Sequence, residues 1–504
     1  MAIVPTIGKL TQAQLESRLW AAVNALRGPV EAGDYKAYVF PILFFKWISD
    51  TWDYQHRKAV EDWGDDLTDE IEQSDYQPFV VPDGCHWADV HGTAFNTGAK
   101  VNEALGRIER ANRDLAGVFG DVNWANTERI PEPALVGLLD AFHGVILDPE
   151  HVEGDMLGAA YEYLLREFAE ASGKKAGEFF TPRHVVHLLV KILDPQPGDE
   201  IVDPACGSGG MLVETVSVVR DSGRNPNSLR LHGQEVNLTT SAIAKMNLYL
   251  HGIEDFQIRR GDTFREPRFL DRGRLKQFDV VIANPPFSLQ NWGAAEWAKD
   301  TWGRVICDVP PAKNGDYAWI QHMVASMKED TGRVGVVMPH GVLFRGGKEG
   351  AIRQCLLEKD LLEAVIGLPN NLFYSTSIPV ALLIWRKAKP AERQGKVLFV
   401  DASARFKPGK NQNSMSDEDI DVIHAAYAKG EDIDGEDGLS LRLVGMEEIA
   451  DNGYDLNIGR YIRTEATAEV DVEAALAAYQ EARIRLRAAE QLLDEKLKAA
   501  GFNA

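Results

Sequence analysis

The sequence Asn284-Pro285-Pro286-Phe287 has residue types that could act on a planar amino nitrogen. It directly follows Phe278 to Ala283, an apolar run typical of a buried strand. The side-chain carbonyl of Asn284 and the rigidly presented backbone carbonyl of Pro285 can each accept one N–H, which draws electron density back onto the nitrogen. Phe287 offers a face for stacking a ring. Because a double proline is also a common stop after a strand, the motif needs support from other segments.

A second motif, Asp203-Pro204-Ala205-Cys206-Gly207-Ser208-Gly209-Gly210, lies between a strand-like run and the helix-like run Met211 to Val219. Its glycines allow a tight loop to bring backbone close to a ligand. The pattern alone is weak, because a plain tight turn or a dinucleotide-dependent oxidoreductase would show it too. Two acids strengthen it. Glu235 ends the next predicted strand, where an acid accepts hydrogen bonds from ribose hydroxyls, and Asp262 follows a third strand-like run and could reach the exocyclic amine of an adenine.

A rigid sheet is needed to bring these motifs together. From Phe179 onwards, short β-rich runs alternate with helix-like stretches, which predicts a doubly wound, Rossmann-like α/β domain. The predicted strands are Glu200 to Val202, Leu231 to Gln234, Phe278 to Ala283, Arg333 to Met338, Ala364 to Leu368, Val380 to Trp385 and Val397 to Val400, with Phe256 to Arg259 as a further strand-like stretch.

Helical sequence precedes and follows this domain. Thr11 and Gln14 fit a capping box, and an apolar face then recurs up to Gly28, at Leu15, Leu19, Ala22, Val23 and Leu26. We predict an N-terminal helical domain over residues 1–157, a catalytic domain over 158–405, and a C-terminal connecting region with a long helix over 406–504. Lys407 to Gly438 is expected to form connections with one short helix-like patch. In Glu469 to Lys498, apolar residues recur every seven positions at Val472, Tyr479, Leu486 and Leu493. That helix is expected either to dock on a partner or to pack on its own domain.

Composition limits the function. The chain has 504 residues and a formal net charge of -22, which opposes non-specific attraction to a polyanion. No signal peptide or membrane span is evident, so a cytoplasmic location is expected. The cysteines are far apart and favour neither a disulfide framework nor a zinc site, so all four are expected to be small buried residues: Cys85, Cys206, Cys307 and Cys355.

The two motifs together resemble those of amino-methyltransferases that act on planar substrate nitrogens. In such enzymes the first motif is the catalytic loop and the second is the cofactor loop, where Ser208 stands in place of a frequent threonine. Four flanking segments resemble the modification (M) subunits of Type I restriction-modification systems. They are Gly177-Glu178-Phe179-Phe180-Thr181-Pro182-Arg183, Gly315-Asp316-Tyr317-Ala318, Phe344-Arg345-Gly346-Gly347 and Leu368-Pro369-Asn370-Asn371-Leu372-Phe373.

The resemblance implies a class I methyltransferase that uses S-adenosylmethionine to methylate N6 of a flipped-out adenine in double-stranded DNA. It implies that Glu178 to Arg183 closes over the methionine end of the cofactor. Thr181 would be the N-cap and Pro182 the first residue of the next helix. The implied catalytic residues are Asn284, Pro285, Pro286 and Phe287. The implied cofactor-binding residues are Glu178, Phe179, Phe180, Thr181, Pro182, Arg183, Asp203, Ala205, Gly207, Ser208, Gly209, Gly210, Glu235 and Asp262, with no metal.

Partners follow from the same resemblance, which implies two copies of this chain on one specificity subunit and a motor-nuclease subunit for restriction. No base-reading module is recognisable in the sequence, which agrees with recognition by another chain. A set of basic residues is the candidate for phosphate contacts: Arg259, Arg260, Arg265, Arg268, Arg272, Arg274, Lys276, Arg345 and Lys348.

Three other functions remain open. They are methylation of RNA or of a protein glutamine, a catalytically silent DNA-binding subunit, and a dinucleotide-dependent oxidoreductase. The long helical front end and the Phe-Phe-Thr-Pro-Arg segment disfavour the first. The intact Asn284, Glu235 and Gly207 to Gly210 disfavour the second, and Asn284 to Phe287 is left unexplained by the third.

Overall fold

The structure, a computed structural model, describes residues 8–153, 156–171, 181–373, 378–410 and 412–462, with isolated residues and one short run between 479 and 496. A helical front end leads into a domain built on one large sheet. The helices of the front end are α1 (Gln12–Leu26), α2 (Tyr35–Trp63), α3 (Asp69–Ile71), α4 (Trp87–His91), α5 (Thr97–Ala111), α6 (Glu132–Phe142) and α7 (Met156–Ala171).

Helix α1 begins and buries its apolar face as predicted. The Thr11 hydroxyl accepts the Gln14 backbone N–H, and the Gln14 side chain accepts the Thr11 backbone N–H, which satisfies two donors at the helix start. All five apolar residues predicted on one face are buried, and this face lies against α6. The front end is therefore held by helix packing around a common core.

The sheet has ten strands in the order β11-β12-β10-β8-β9-β7-β6-β1-β2-β3. The strands of the domain, including a separate two-stranded hairpin formed by β4 and β5, are β1 (Glu200–Asp203), β2 (Arg230–Glu235), β3 (Phe256–Arg260), β4 (Leu270–Asp271), β5 (Arg274–Leu275), β6 (Val280–Ala283), β7 (Arg333–Pro339), β8 (Leu362–Gly367), β9 (Val380–Arg386), β10 (Lys396–Asp401), β11 (Ile433–Glu436) and β12 (Leu439–Gly445). Its helices are α8 (Arg183–Leu193), α9 (Gly210–Asp221), α10 (Leu238–Leu250), α11 (Ala294–Trp297), α12 (Asp316–Ala325), α13 (Gly341–Phe344), α14 (Gly347–Glu358), α15 (Asp417–Lys429) and α16 (Met446–Asp451).

The order of the strands creates a switch point between β1 and β6. From β1 the parallel sheet runs through β2 to β3 on one side, and through β6 to β7 on the other. Strand β9 then inserts antiparallel between β7 and β8. The doubly wound α/β prediction is confirmed, and in such sheets ligands bind at the carboxyl ends of the strands beside the switch point.

Helix α10 joins the front end to the sheet domain. Its Ala244 and Leu248 belong to the core that the sheet shares with α8, α9 and α15, called here the core under the sheet. Ile243 and Tyr249 belong to the core of the front end. Helix α7 packs on it, and the Tyr161 hydroxyl donates to the Ile243 carbonyl oxygen at 3.0 Å. The predicted domain boundary at residue 157 falls inside α7.

The segment Lys407 to Gly438 does more than form the predicted connections. It contains the 13-residue helix α15, which packs against α8 and buries Ile420 and Ile423. The hairpin of β11 and β12 then adds antiparallel strands to β10, so the sheet extends past residue 405, the predicted limit of the catalytic domain. The sequence of β11, Ile-Asp-Gly-Glu, is too polar and short to be recognised as a strand.

The expectation that all four cysteines are small buried residues was wrong for Cys307 and Cys355, which form a disulfide. They are 48 residues apart, but the loop before α12 lies against α14, and their Cα atoms are 6.0 Å apart. Sequence spacing cannot show this proximity. Cys85 and Cys206 are buried free thiols, as expected.

Most of the predicted C-terminal helix lies outside the described residues. Of its heptad positions, Tyr479, Leu486 and Leu493 are described, and they are 59%, 59% and 58% exposed. These three side chains are therefore not part of any of the three hydrophobic cores of the described residues. None of the helices in the described ranges has both the length and the apolar character needed to cross a bilayer.

Candidate active site

The glycine loop, Asp203 to Gly210, leaves the end of β1 and leads directly into α9. Gly207 and Gly209 have φ values of +53° and +80°, a left-handed backbone that favours glycine. Asp203 accepts the Ala205 N–H at 2.9 Å, and the Cys206 carbonyl accepts the Gly209 N–H at 2.8 Å. The loop therefore turns tightly and presents the start of α9 at the switch point.

The two acids beyond the glycine loop lie at the ends of β2 and β3. Glu235 accepts the Gly207 N–H at 3.1 Å and the Asn237 N–H at 2.8 Å, so its carboxylate is fixed against the glycine loop. Asp262 accepts the Phe264 N–H at 2.9 Å and pairs with Arg265 at 3.2 Å. Both acids thus lie on the β2 and β3 side of the switch point.

Thr181 does not cap α8, contrary to the prediction. The helix begins at Arg183, with Pro182 at the N-cap position and no side-chain capping bond. The Thr181 hydroxyl instead accepts a hydrogen bond from the Asn284 side-chain amide at 2.9 Å. Thr181 is therefore engaged with the loop that follows β6, Asn284 to Ser288, which contains the predicted catalytic residues and is called the catalytic loop below. Glu178, Phe179 and Phe180 lie outside the described residues.

The catalytic loop starts where β6 ends, beside the glycine loop. With its amide nitrogen bound to Thr181, Asn284 keeps its Oδ1 buried, and within the described residues that oxygen has no hydrogen-bond partner. A buried carbonyl oxygen without a donor is costly, so its position favours a ligand that supplies an N–H. Pro285 is buried, Pro286 is exposed, and Phe287 is half-buried against the core under the sheet.

A pocket at the switch point brings the two motifs together. Thr181, Arg183, Asp203, Ala205, Gly207, Ser208, Gly210 and Asn284, all predicted from sequence, line it. Seven described residues of the predicted site are not in its wall: Pro182, Gly209, Glu235, Asp262, Pro285, Pro286 and Phe287. Five residues that the sequence reasoning did not identify complete the lining: Glu162, Val186, Cys206, Met211 and Glu214.

Some of these omissions could have been found. Cys206 is part of the glycine loop, and Met211 and Glu214 lie three residues apart in the first turns of α9, so helical spacing alone places them on one face. Val186 follows in the same way from α8. Glu162 belongs to α7 in the front end, and no signal in the sequence connects it to this pocket.

Comparison with known proteins identifies the family. A family profile described as N-6 DNA Methylase matches residues 152–470, which is more than half of the chain, and one described as HsdM N-terminal domain matches residues 15–142. The chain belongs to the N-6 DNA Methylase family.

Relatives of this methylase are methylase subunits of Type I restriction enzymes. It is 36% identical to the MjaVII methylase subunit of Methanocaldococcus jannaschii over 77% of this chain and 66% of that protein, slightly less than two thirds of its length. It is 31% identical to the MjaIX methylase subunit of the same organism over 97% and 92% of the two chains. The crystal structure of a type I restriction-modification methyltransferase subunit from Streptococcus thermophilus matches it with a TM-score of 0.77 at 31% identity, covering 90% of this chain and 100% of that one. The predicted membership of the Type I modification subunits is confirmed.

The pocket of the methylase is acidic. Burial raises the pKa of Asp203 to about 8, and burial followed by the nearby charge of Glu214 raises the pKa of Glu162. Glu214 itself pairs with Arg183 at 3.1 Å and with His187. Burial favours the protonated form of both groups, and a bound cation would favour their charged form, so a wall with three carboxyl groups, Glu162, Asp203 and Glu214, suits a cationic ligand.

Asp203 should make the stability of the methylase depend on pH. Its pKa rises on folding from 3.8 to about 8, so folding favours the protonated form, whose stabilising contribution is lost as pH rises through that range. Asp203→Asn keeps an acceptor for the Ala205 N–H and removes the titration. We expect the free energy of unfolding, measured with urea, to decline more steeply for the wild type than for the variant between about pH 5 and pH 8. Parallel pH profiles would contradict this.

Ion pairs support the far end of the catalytic loop. Asp316, at the start of α12, is buried and accepts the Ser288 N–H at 2.7 Å. Arg345 hydrogen-bonds to the other Asp316 oxygen and lies 2.8 Å from Glu349, which is also buried. Ser288 has a φ of +52°, so its backbone is held in an uncommon conformation. Two flanking segments of the sequence, at Asp316 and Arg345, thus act together on this loop.

The candidate phosphate contacts differ in how free their charges are. Arg265 pairs with Asp262, Arg268 with Glu266 and Lys276 with Glu200, and Arg345 is engaged in the network described above. Arg259 has no ion pair among the described residues, but its guanidinium donates to the Arg268 carbonyl and to Gln257. In the described part of the chain, three exposed arginines beside or within the β4 and β5 hairpin have neither an ion pair nor a side-chain hydrogen bond: Arg260, Arg272 and Arg274. These three are better placed than Arg345 to meet a phosphate.

Proposed function

We propose that the methylase transfers a methyl group from S-adenosylmethionine to N6 of an adenine that is flipped out of double-stranded DNA. The observation that carries this proposal is the buried Oδ1 of Asn284, which has no donor within the described residues and belongs to a residue that lines the pocket. An adenine amino group is a poor nucleophile because its lone pair is delocalised into the ring. Asn284 Oδ1 and the Pro285 carbonyl accept its two N–H groups and favour a tetrahedral nitrogen as the new bond forms. Phe287 stacks on the base.

The described residues fit the proposed cofactor, which supplies an electrophilic methyl group on a sulfonium. Three carboxyl side chains line the pocket, which suits a cationic ligand: Glu162, Asp203 and Glu214. The glycine loop brings backbone close to the ligand, Glu235 accepts hydrogen bonds from the ribose hydroxyls, and Asp262 accepts one from the adenine amine. Glu178 to Arg183 closes over the methionine end. Since an amino group paired within a duplex cannot be approached in line, the target base must leave the stack.

Target recognition belongs to a partner in this proposal. A net charge of -22 disfavours DNA binding by this chain alone, so a specificity subunit positions the duplex, with two copies of the methylase per specificity subunit. That subunit packs against the exposed heptad residues Tyr479, Leu486 and Leu493. A motor-nuclease subunit joins for restriction, and the complex acts in the cytoplasm.

The test is nucleoside mass spectrometry of DNA from a methylation-deficient host that expresses this chain with its neighbouring specificity subunit. We expect N6-methyladenine only when both proteins are present and Asn284 is intact. Its absence would favour a silent DNA-binding subunit, and methylated RNA or protein glutamine in its place would identify a different substrate. The methylase expressed alone is the control for the role of the partner.

A further inference from the structure

Helix α7 of the front end places one side chain, that of Glu162, in the wall of the pocket at the switch point. Tyr161 anchors the helix through its hydrogen bond to Ile243 on α10, and the next residue, Glu162, lines the pocket. Close approach is allowed at Gly158, where a Cβ atom would lie 2.4 Å from the ring of His251. The position of Glu162 is therefore fixed by packing on both sides of the helix.

The Glu162 carboxylate has its hydrogen-bonding capacity free. Within the described ranges it makes no hydrogen bond and no ion pair. The two other carboxylates of the pocket are engaged, because Glu214 pairs with Arg183 and His187, and buried Asp203 accepts the Ala205 N–H. Burial is the main cause that raises the pKa of Glu162, and the charge of Glu214 adds to it, whereas His251, Arg183 and Arg166 act in the opposite direction. A cation in direct contact with this carboxyl group would favour its charged form.

We propose that Glu162 binds the α-ammonium group of the methionine end of the cofactor. The inference rests on the proposed function. Thr181 and Arg183, which the proposed function assigns to the methionine end, line the same pocket as Glu162, whereas Glu235 and Asp262, assigned to the adenosine end, do not line it. Of the two cationic groups there, only an ammonium has N–H donors, whereas a sulfonium has none. A carboxylate with free lone pairs therefore pairs with the ammonium and fixes the direction of the amino-acid tail.

The test combines one substitution with removal of one ligand group. Calorimetry on the full-length chain would compare S-adenosylhomocysteine with its deaminated analogue, which has hydrogen in place of the α-amino group. We expect Glu162→Gln to weaken binding of S-adenosylhomocysteine by about tenfold or more, since a charge-assisted hydrogen bond is lost. Binding of the deaminated analogue should change by less than about twofold, because the group that Glu162 contacts is already absent.

Two further variants complete the experiment. Glu167→Gln changes a carboxylate on the same helix that does not line the pocket, and it should leave both affinities unchanged. Glu162→Asp keeps the charge and should lose less affinity than Glu162→Gln. Equal losses for both ligands, or none for either, would overturn the role of Glu162. If the unsubstituted chain bound neither ligand, the proposed cofactor itself would be wrong, and the role of Glu162 would fail with it.

Discussion

Asn284→Ala should lower the rate of methyl transfer by about a hundredfold to a thousandfold, the usual cost of removing one group that stabilises charge in a transition state. Asn284 Oδ1 is buried without a donor among the described residues, so the substitution removes an acceptor reserved for the substrate. The dissociation constant of S-adenosylhomocysteine should change by less than about threefold, since the proposed function assigns Asn284 to the base and not to the methyl donor. Single-turnover kinetics of the complex with its specificity subunit, and calorimetry, measure the two quantities.

Two companion variants sharpen the test. Thr181→Val removes the hydroxyl that accepts the Asn284 amide, so it should reduce the rate by less than Asn284→Ala does. Asn227→Ala changes an exposed asparagine between α9 and β2 and should be silent. A loss of cofactor affinity in Asn284→Ala as large as its loss of rate would assign Asn284 to the cofactor and refute its proposed role.

Arg345→Met should lower kcat by about tenfold to a hundredfold while leaving the salt dependence of DNA binding unchanged. The guanidinium spans Asp316 and Glu349, and removing it leaves two buried carboxylates without their partner. Asp316 would then hold the Ser288 N–H less firmly, and the catalytic loop would lose its fixed geometry. Steady-state kinetics at saturating DNA, together with binding measured over a range of salt, separate the two effects.

If Arg345 were instead a phosphate contact, its removal would change the salt dependence of DNA binding and not kcat. Loss of one phosphate contact would reduce the slope of log affinity against log salt by about one unit and leave kcat intact. Lys348→Met removes an exposed charge three residues away and should leave kcat unchanged. Arg345→Lys keeps the charge, but a lysine cannot bridge two carboxylates as a guanidinium can, so it should recover kcat only in part. Urea denaturation gives the loss of stability in each variant.

The sequence predicted those features that depend on residues close together in the chain. The apolar runs that became β6, β7 and β9 predicted their strands to within about two residues, because a strand covered on both faces is mostly apolar. The glycine loop and the catalytic loop were each placed directly after a predicted strand, and the structure brings the two loops together. Each follows a strand of a parallel sheet, and the carboxyl ends of such strands share one edge.

Contacts between distant segments were beyond that reasoning. Thr181 has the sequence context of an N-cap, yet its hydroxyl bonds to Asn284, 103 residues away. From the sequence alone, Arg345 and Lys348 both look like surface charges. The structure shows that Arg345 lies between two buried acids, Asp316 and Glu349. Cys307 with Cys355, and Glu162 with the pocket, follow the same rule: their partners are set by packing and not by spacing.

The two-sided burial of α10 has a consequence for how such chains can be recombined. Ala242, Ile243, Met246, Tyr249 and Leu250 belong to the sheet domain in sequence, but they complete the hydrophobic core of the front end. A chimera joined near residue 157 would keep the backbone continuous and still place foreign side chains against this stripe. Mismatched side-chain volumes in a close-packed core cost stability. Functional chimeras between relatives should therefore inherit the front end together with the face of α10 that packs against it.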